Sequence, residues 1–97
     1  MSRVNIQPAA LVDIDSAAVE YESKQQGLGI EFILEFDATI ERIANFPRSY
    51  SVQYRDARRA LLRRFPYAVY FSFSGNNAEV FAVLHQHQDP SAWQRRA

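Results

Sequence analysis

The chain has 97 residues, which is enough for one domain, residues 1–97, with one modest hydrophobic core. It contains no cysteine, and its apolar runs are far too short to cross a bilayer, so a disulfide framework, a thiolate metal site and a membrane span are excluded. The formal net charge is zero. No leader with a charged and then an apolar region opens the sequence, so we expect a cytoplasmic protein.

The first half of the sequence predicts a strand and two helices. A short β-prone stretch surrounds Val4 and Ile6. Apolar residues then recur at spacings of three and four from residue 9 to about residue 26, and again from about residue 29 to residue 45, as in two amphipathic helices. Gly27 is suited to a left-handed cap between them, so we expect an antiparallel helical hairpin.

In the second half of the sequence the apolar period changes to two, which predicts strands. We expect strands at residues 58–65, 67–74 and 79–87, with a turn of Gly and Asn at residues 75–77. A short helix, residues 90–96, should follow. The predicted fold class is therefore α+β: an N-terminal strand, an antiparallel helical hairpin packed on a small antiparallel sheet, and a short C-terminal helix. The other face of the sheet is expected to be free.

The zero net charge conceals an asymmetry between the two halves. Residues 1–46 carry eight acids and three bases, whereas residues 47–97 carry eight arginines and three acids. A basic face suggests an anionic partner, either nucleic acid or an acidic protein segment. The alternative is that the two halves pair with each other through solvated surface contacts.

Four arginines lie in the predicted strand at residues 58–65. In an extended strand Arg59 and Arg63 share one face, and Arg58 and Arg64 share the other. Each set includes one leucine, so the pattern does not decide which set faces the hairpin. The functional interpretation is a row of cations that binds an acidic tail or a nucleic-acid-like partner. The alternative is a solvated sheet edge.

Both histidines of the chain, His85 and His87, lie near its C-terminal end. On a strand they share a face, but a zinc site needs three or four ligands, so we expect no metal. His85 is predicted to be structural, tying a carbonyl or loop backbone at the strand end. Asp89 and Pro90 are expected to be structural as well, as the N-cap and first position of the terminal helix.

Five sequence motifs follow one another along nearly the whole chain. They are A-x-x-D-I at residues 10–14, Y-x-x-x-x-x-G-L-G-x-x-F at 21–32, I-x-x-x-P at 43–47, R-x-x-L-x-R-F-P-Y at 59–67 and A-V-L-H-x-x-x-D-P-x-x-W at 82–93. With these motifs the chain resembles the RelE/ParE superfamily of type II toxin–antitoxin toxins, and is closer to the ParE branch.

The resemblance implies a fold and partners. Toxins of this type have a helical hairpin against a small antiparallel sheet, and a cognate antitoxin neutralises them. The ParE branch is described as acting on DNA gyrase, whereas the RelE branch cleaves messenger RNA on the ribosome. Operator DNA is expected to be contacted only through the antitoxin. No cofactor and no membrane partner are implied. A further alternative is a non-toxic remnant that only binds the antitoxin and helps it to repress its own operon.

The sequence departs from the RelE-like nucleases where their chemistry is expected. Such enzymes use sheet lysines and arginines with a C-terminal tyrosine, but the only lysine here is Lys24 and no tyrosine follows Tyr70. The segment often seen as H-x-R-R-D-P reads H-Q-H-Q-D-P at residues 85–90. We therefore expect inhibition by binding rather than catalysis. The endoribonuclease alternative would use Arg59, Arg63 and His87.

The C-terminal region offers further candidate contacts. Trp93 is most simply an anchor that holds the terminal helix to the sheet. The C-terminal region of ParE-like toxins is linked to toxicity, so the resemblance also makes Trp93, Arg95 and Arg96 candidate contacts with the target. Together with Arg58, Arg59, Arg63 and Arg64 they form the predicted antitoxin-binding or target-binding set.

Overall fold

The computed structural model describes all residues from Met1 to Ala97. In chain order the elements are β1 (Arg3–Ile6), α1 (Pro8–Lys24), α2 (Leu28–Asn45), a 3-10 turn (Pro47–Ser49), β2 (Val52–Tyr54), β3 (Ala57–Leu61), β4 (Tyr67–Ser74), β5 (Asn77–His85) and α3 (Ser91–Gln94). The five strands form one sheet in the order β1-β5-β4-β3-β2. The predicted α+β class, with a helical hairpin packed on a sheet, is confirmed. No helix combines the length and hydropathy needed to cross a membrane.

The sheet differs from the prediction in three details. β1 pairs with β5 in parallel, so the sheet is mixed rather than wholly antiparallel. β2 is an additional edge strand of only three residues, too short for its alternation to be recognised as a strand pattern. The predicted strands 58–65 and 79–87 end early, at Leu61 and His85. Arg63 and Arg64 are therefore not strand residues, and the prediction that they alternate with Arg58 and Arg59 across the sheet is wrong.

The hairpin turn is built on two glycines and one glutamate. Gly27 has a φ of 88°, the left-handed conformation that the sequence predicts for it. At Gly29 a β-carbon would lie 2.7 Å from the carbonyl oxygen of Ala18, so a side chain there would force α1 and α2 apart. The carboxylate of Glu22 accepts hydrogen bonds from the N–H groups of Gly27 at 2.9 Å and Gly29 at 3.0 Å. It thereby satisfies donors that the start of α2 leaves free.

The main core lies between the hairpin and the inner face of the sheet. Phe32 and Phe71 are fully buried in it, and Ile43 is buried beside them. An aromatic cluster closes one end of this core, with Tyr21 stacked on Phe32 at 5.5 Å and in edge contact with Phe65 at 4.8 Å. The two amphipathic helices thus bury their apolar stripes against strands whose alternate residues point to the same side.

The sequence predicts that the outer face of the sheet is free. In the structure, α3 folds across this face instead. Trp93 is 6% exposed and stacks on Tyr70 of β4, and it makes an edge contact with Tyr54 of β2. Ala68 and Phe81 also belong to this second, smaller core. A helix of only four residues is retained here because one large indole is removed from water.

Candidate functional site

A basic cleft opens at the edge of the sheet beside β3, close to the C-terminal end of α2. Its volume is about 480 Å³. Three of its eight lining residues are arginines and none is acidic. We call it the arginine cleft; it is lined by Arg42, Ser49, Tyr50, Ser51, Gln53, Arg59, Leu61 and Arg63. Such a surface attracts anions and offers planar guanidinium groups to carboxylates or phosphates.

One wall of the arginine cleft is an exposed strand edge. β2 pairs only with Ala57 and Arg58 of β3, so the rest of β3 has a strand partner on one side only. The N–H group of Leu62 donates to the carbonyl of Tyr67 at 3.0 Å, on the β4 side. Because backbone groups alternate in direction along a strand, the N–H and C=O of Leu61 point towards the cleft. The cleft thus presents backbone groups as well as cations.

Arg59 faces the outer side of the sheet, directly across the strand pair from Tyr70. Burial raises the pKa of the Tyr70 hydroxyl, and the neighbouring guanidinium of Arg59 acts against that rise. Tyr70 in turn stacks on Trp93. Arg59 of the arginine cleft is therefore next to the second core.

Arg63 and Arg64 lie in the turn after β3, and α2 holds that turn in place. The carboxylate of Glu35 accepts hydrogen bonds from both backbone N–H groups, the one to Arg64 being 3.0 Å long. The Arg64 guanidinium forms an ion pair with Glu31 at 3.3 Å and lies over the ring of Phe65. Arg64 is thus directed to the hairpin, whereas Arg63 is exposed and lines the arginine cleft.

The structure separates the four predicted arginines. Arg58 points to the hairpin side and donates to the carbonyl of Tyr50 at 2.7 Å. Only Arg59 and Arg63 meet in the arginine cleft, and Arg42 joins them. Sequence reasoning missed Arg42 because no local pattern marks it: it reaches the cleft only through the packing of α2 beside the sheet.

An apolar groove runs along the outside of the hairpin. Val19 is 70% exposed and Ile30 is 65% exposed. They line a groove of about 320 Å³ with Ala18, Gly29 and Ile33. Leu34, also exposed, extends the same α2 surface by one turn. Apolar side chains gathered on one helix surface are more informative than scattered ones, because they mark interaction surfaces. We call this surface the hairpin groove.

The two histidines lie away from the arginine cleft. His85 is half-buried, packs edge-on against Tyr67, and its Nδ1 atom accepts a hydrogen bond from the His87 backbone N–H at 3.1 Å. His85 is predicted to tie a carbonyl or loop backbone, and the observed contact is to a loop N–H. His87 is exposed and does not line the cleft. The three residues of the nuclease alternative are therefore not gathered in one cleft.

No three side chains of the His, Cys, Asp and Glu types are grouped as metal ligands. Asp89 instead accepts a hydrogen bond from the Ser91 backbone N–H at 2.9 Å, and this bond lowers the pKa of the Asp89 carboxyl group. The predicted capping roles are off by one residue, because α3 begins at Ser91 and its N-cap is Pro90 rather than Asp89; the Asp89 carboxylate still binds the N–H of the first helical residue.

The candidate contacts at the C-terminus differ in accessibility. Trp93 is buried, so it serves as an anchor. Arg96 forms an ion pair with Asp13 of α1 at 2.6 Å. Arg95 is exposed, and it lines a shallow cleft that also includes Arg55 of the β2–β3 turn. No sequence pattern singles out Arg55.

Comparisons with known proteins bear on the family and the fold of the chain. The sequence profile of one family, described as the ParE toxin of a type II toxin–antitoxin system, parDE, matches residues 4–90. A solved structure described as the chromosomal ParDE toxin–antitoxin system from P. aeruginosa superposes with a TM-score of 0.75, at 13% sequence identity. The match covers 88% of this chain and 96% of that one. None of the curated protein sequences matches the chain.

Proposed function

The chain belongs to the ParE toxin family of type II toxin–antitoxin systems, and on that premise we propose that it is the toxin of such a pair. In this proposal it acts in the cytoplasm, inhibits DNA gyrase by binding rather than by catalysis, and is neutralised by a cognate antitoxin. The observation that carries the proposal is the arginine cleft, whose three arginines and absence of acidic residues favour an anionic partner.

The side chains of the arginine cleft favour binding over cleavage. Attack by a 2′-hydroxyl on RNA needs a group that accepts its proton and a group that protonates the leaving oxygen. The cleft offers Arg42, Arg59 and Arg63, whose guanidinium groups stay protonated, and no histidine, lysine or carboxylate. Tyr50 is its only other ionisable group. Cations without a proton acceptor near neutral pH can hold a partner but lack a general base.

The antitoxin is proposed to cover two surfaces at once. An amphipathic helix would place its apolar face in the hairpin groove, and the acidic residues beside it would enter the arginine cleft. Ile33 of the groove and Arg42 of the cleft both lie on α2, about 14 Å apart along the helix axis. Nine residues make about two and a half helical turns, so the two side chains lie on opposite sides of α2, and one continuous antitoxin segment would reach both by winding over the exposed side of the helix. We expect the antitoxin to be a small protein with an acidic tail, encoded beside this gene.

The antitoxin proposal is tested with the product of the neighbouring reading frame. Replacing Arg59 and Arg63 together by alanine is expected to weaken the complex, and to reduce the dependence of the dissociation constant on salt. Arg48→Ala is the matched control, because Arg48 is an exposed arginine that lies over Phe73 outside the cleft. A complex whose affinity depends neither on salt nor on the two arginines would contradict this assignment.

Induction of the chain alone in bacteria tests the toxin proposal. Gyrase inhibition predicts growth arrest with activation of a DNA-damage reporter and intact messenger RNA. Rapid loss of messenger RNA before any DNA-damage signal would instead support the ribosome-dependent endoribonuclease. Unimpaired growth, together with antitoxin-dependent repression of the operon, would support the non-toxic co-repressor.

A further inference from the structure

An ion pair fastens the C-terminal end of the chain to the first helix. The Asp13 side chain is 10% exposed, and that of Arg96 is 32% exposed. The contact is bidentate: Nη1 of Arg96 lies 2.6 Å from Oδ2 of Asp13, and Nη2 lies 3.3 Å from Oδ1. Two parallel bonds of this kind fix the orientation of the guanidinium plane as well as its position.

The same two side chains also bond the backbone of β5. Oδ2 of Asp13 accepts a hydrogen bond from the Val83 N–H at 3.0 Å, and Nη1 of Arg96 donates to the Phe81 carbonyl at 3.2 Å. The pair therefore makes four hydrogen bonds, two between its members and two to the strand. A surface ion pair would lack the backbone bonds and would contribute little.

The place of these bonds in the sheet explains why they are needed. β1 pairs with β5 only as far as Ile6 and Val80, so the remaining half of β5 has no strand on that side. The strand register also shifts at this point, leaving Phe81 without a partner on β4. The Phe81 carbonyl and the Val83 N–H would face this open edge. Asp13 and Arg96 occupy the place of the missing strand and satisfy both groups.

This arrangement attaches the terminal segment, residues 91–97, at two separate places. Trp93 holds it to the outer face of the sheet, and Arg96 holds it to the sheet edge and α1. Arg95 lies between the two attachment points and is exposed, in the cleft that Arg55 also lines. A helix of four residues has little stability of its own, so these two attachments determine where Arg95 is directed.

We propose that Asp13 and Arg96 are positioning residues that hold the terminal segment in the orientation in which Arg95 meets an acidic surface of the toxin's target. The proposal rests on the proposed function for the existence of that target. The contacts that carry it, from Asp13 to Val83 and from Arg96 to Asp13 and Phe81, concern the chain alone. The two parts are therefore tested separately.

Four single variants of the full chain separate attachment from contact. Asp13→Asn keeps the shape and an acceptor for the Val83 N–H but removes the charge, and Arg96→Ala removes the bond to the segment. Arg95→Ala removes the presented cation and leaves the attachment intact. Arg48→Ala serves as the control, an exposed arginine outside the segment.

Amide hydrogen exchange and acrylamide quenching of the only tryptophan, Trp93, test the attachment. In Asp13→Asn and Arg96→Ala, exchange across residues 91–97 should accelerate roughly tenfold, the order expected when charge-assisted hydrogen bonds are lost. Quenching of Trp93 should increase. The amides shared by β4 and β5 near Val69 should keep their protection, which excludes global unfolding. Exchange unchanged from the wild-type chain in both variants would overturn the attachment.

Growth arrest on induction, at matched protein abundance, tests the positioning role. Asp13→Asn, Arg96→Ala and Arg95→Ala should each lose most of the arrest, and Arg48→Ala should retain it. Arrest that persists in a variant whose terminal segment exchanges freely would overturn the positioning role. A wild-type chain that does not arrest growth would contradict the proposed function instead, and the exchange result would still decide whether Asp13 and Arg96 hold the segment.

Discussion

The indole of Trp93 stacks on the ring of Tyr70, with centroids 4.4 Å apart and planes inclined by 13°. This contact converts the outer face of the sheet from a free surface into a second core. It also places the terminal segment beside Arg59, whose side chain lies next to the Tyr70 hydroxyl. One aromatic pair thus links the arginine cleft to the C-terminal segment.

The first prediction concerns this pair. Trp93→Ala should lower the free energy of unfolding by about 3–5 kcal/mol, because it empties a site where a large aromatic side chain is buried. Phe46→Ala is the control, since Phe46 is 66% exposed and its loss should change that free energy by less than about 0.5 kcal/mol. Denaturant unfolding of both purified variants gives the two values. Similar losses in both would show that α3 does not form the second core.

The second prediction distinguishes the two glycines of the hairpin turn. Gly29→Ala should cost about 1–3 kcal/mol or more, because the new β-carbon would lie 2.7 Å from the Ala18 carbonyl oxygen. Gly27→Ala should cost only about 1–2 kcal/mol, since its φ of 88° is strained for alanine but no atom lies within 4 Å of the added carbon. Thermal and denaturant unfolding measure both. A milder effect at Gly29 than at Gly27 would contradict the close helix contact.

The third prediction concerns the two histidines. His85→Ala should lower the melting temperature, because it removes the Nδ1 acceptor of the His87 N–H, a contact worth about 1 kcal/mol. His87→Ala should leave the melting temperature nearly unchanged, since the bonded group is its backbone and its side chain is exposed. Neither change should abolish toxicity through lost catalysis. Loss of toxicity in a stably folded His87→Ala variant, or a stoichiometric zinc ion in the purified chain, would refute this interpretation.

The fourth prediction is alkaline sensitivity. Burial raises the pKa of Tyr21 and of Tyr67 above the ordinary value of 10.0. The unfolded chain therefore loses these protons at lower pH than the folded chain, so stability is intact below about pH 10 and falls as pH rises beyond it. Tyr67→Phe should reduce the loss of unfolding free energy between about pH 8 and about pH 11. An equal loss in the variant and the wild-type chain would show that Tyr67 does not contribute.

Local patterns predicted the elements that depend on local sequence. The hairpin, its glycine turn and the strand around Tyr70 follow from periodicity and from the tolerance of glycine for positive φ. The strand predicted at residues 58–65 ends at Leu61 instead, and Glu35 of α2 binds the backbone of the turn that follows, from 28 residues away. No short-range pattern records such a contact.

The candidate site was predicted in part for the same reason. The cluster of arginines in that segment predicts Arg59 and Arg63 as site residues, and both line the arginine cleft. The sequence does not mark Arg42 as a cleft residue, and it does not mark Asp13 as the partner of Arg96. Each residue reaches its place only through the packing of a helix on the sheet. The charge asymmetry between the two halves of the sequence indicates a basic surface. It does not indicate which arginines form ion pairs with neighbouring acids.

We propose that this chain is a toxin that inhibits DNA gyrase by binding. The most direct measurement is DNA supercoiling by purified bacterial gyrase in the presence of the purified chain, with messenger RNA on translating ribosomes assayed in parallel. We expect supercoiling to fall as the chain approaches the concentration of gyrase, while the messenger RNA stays intact. Undiminished supercoiling together with cleaved messenger RNA would contradict it.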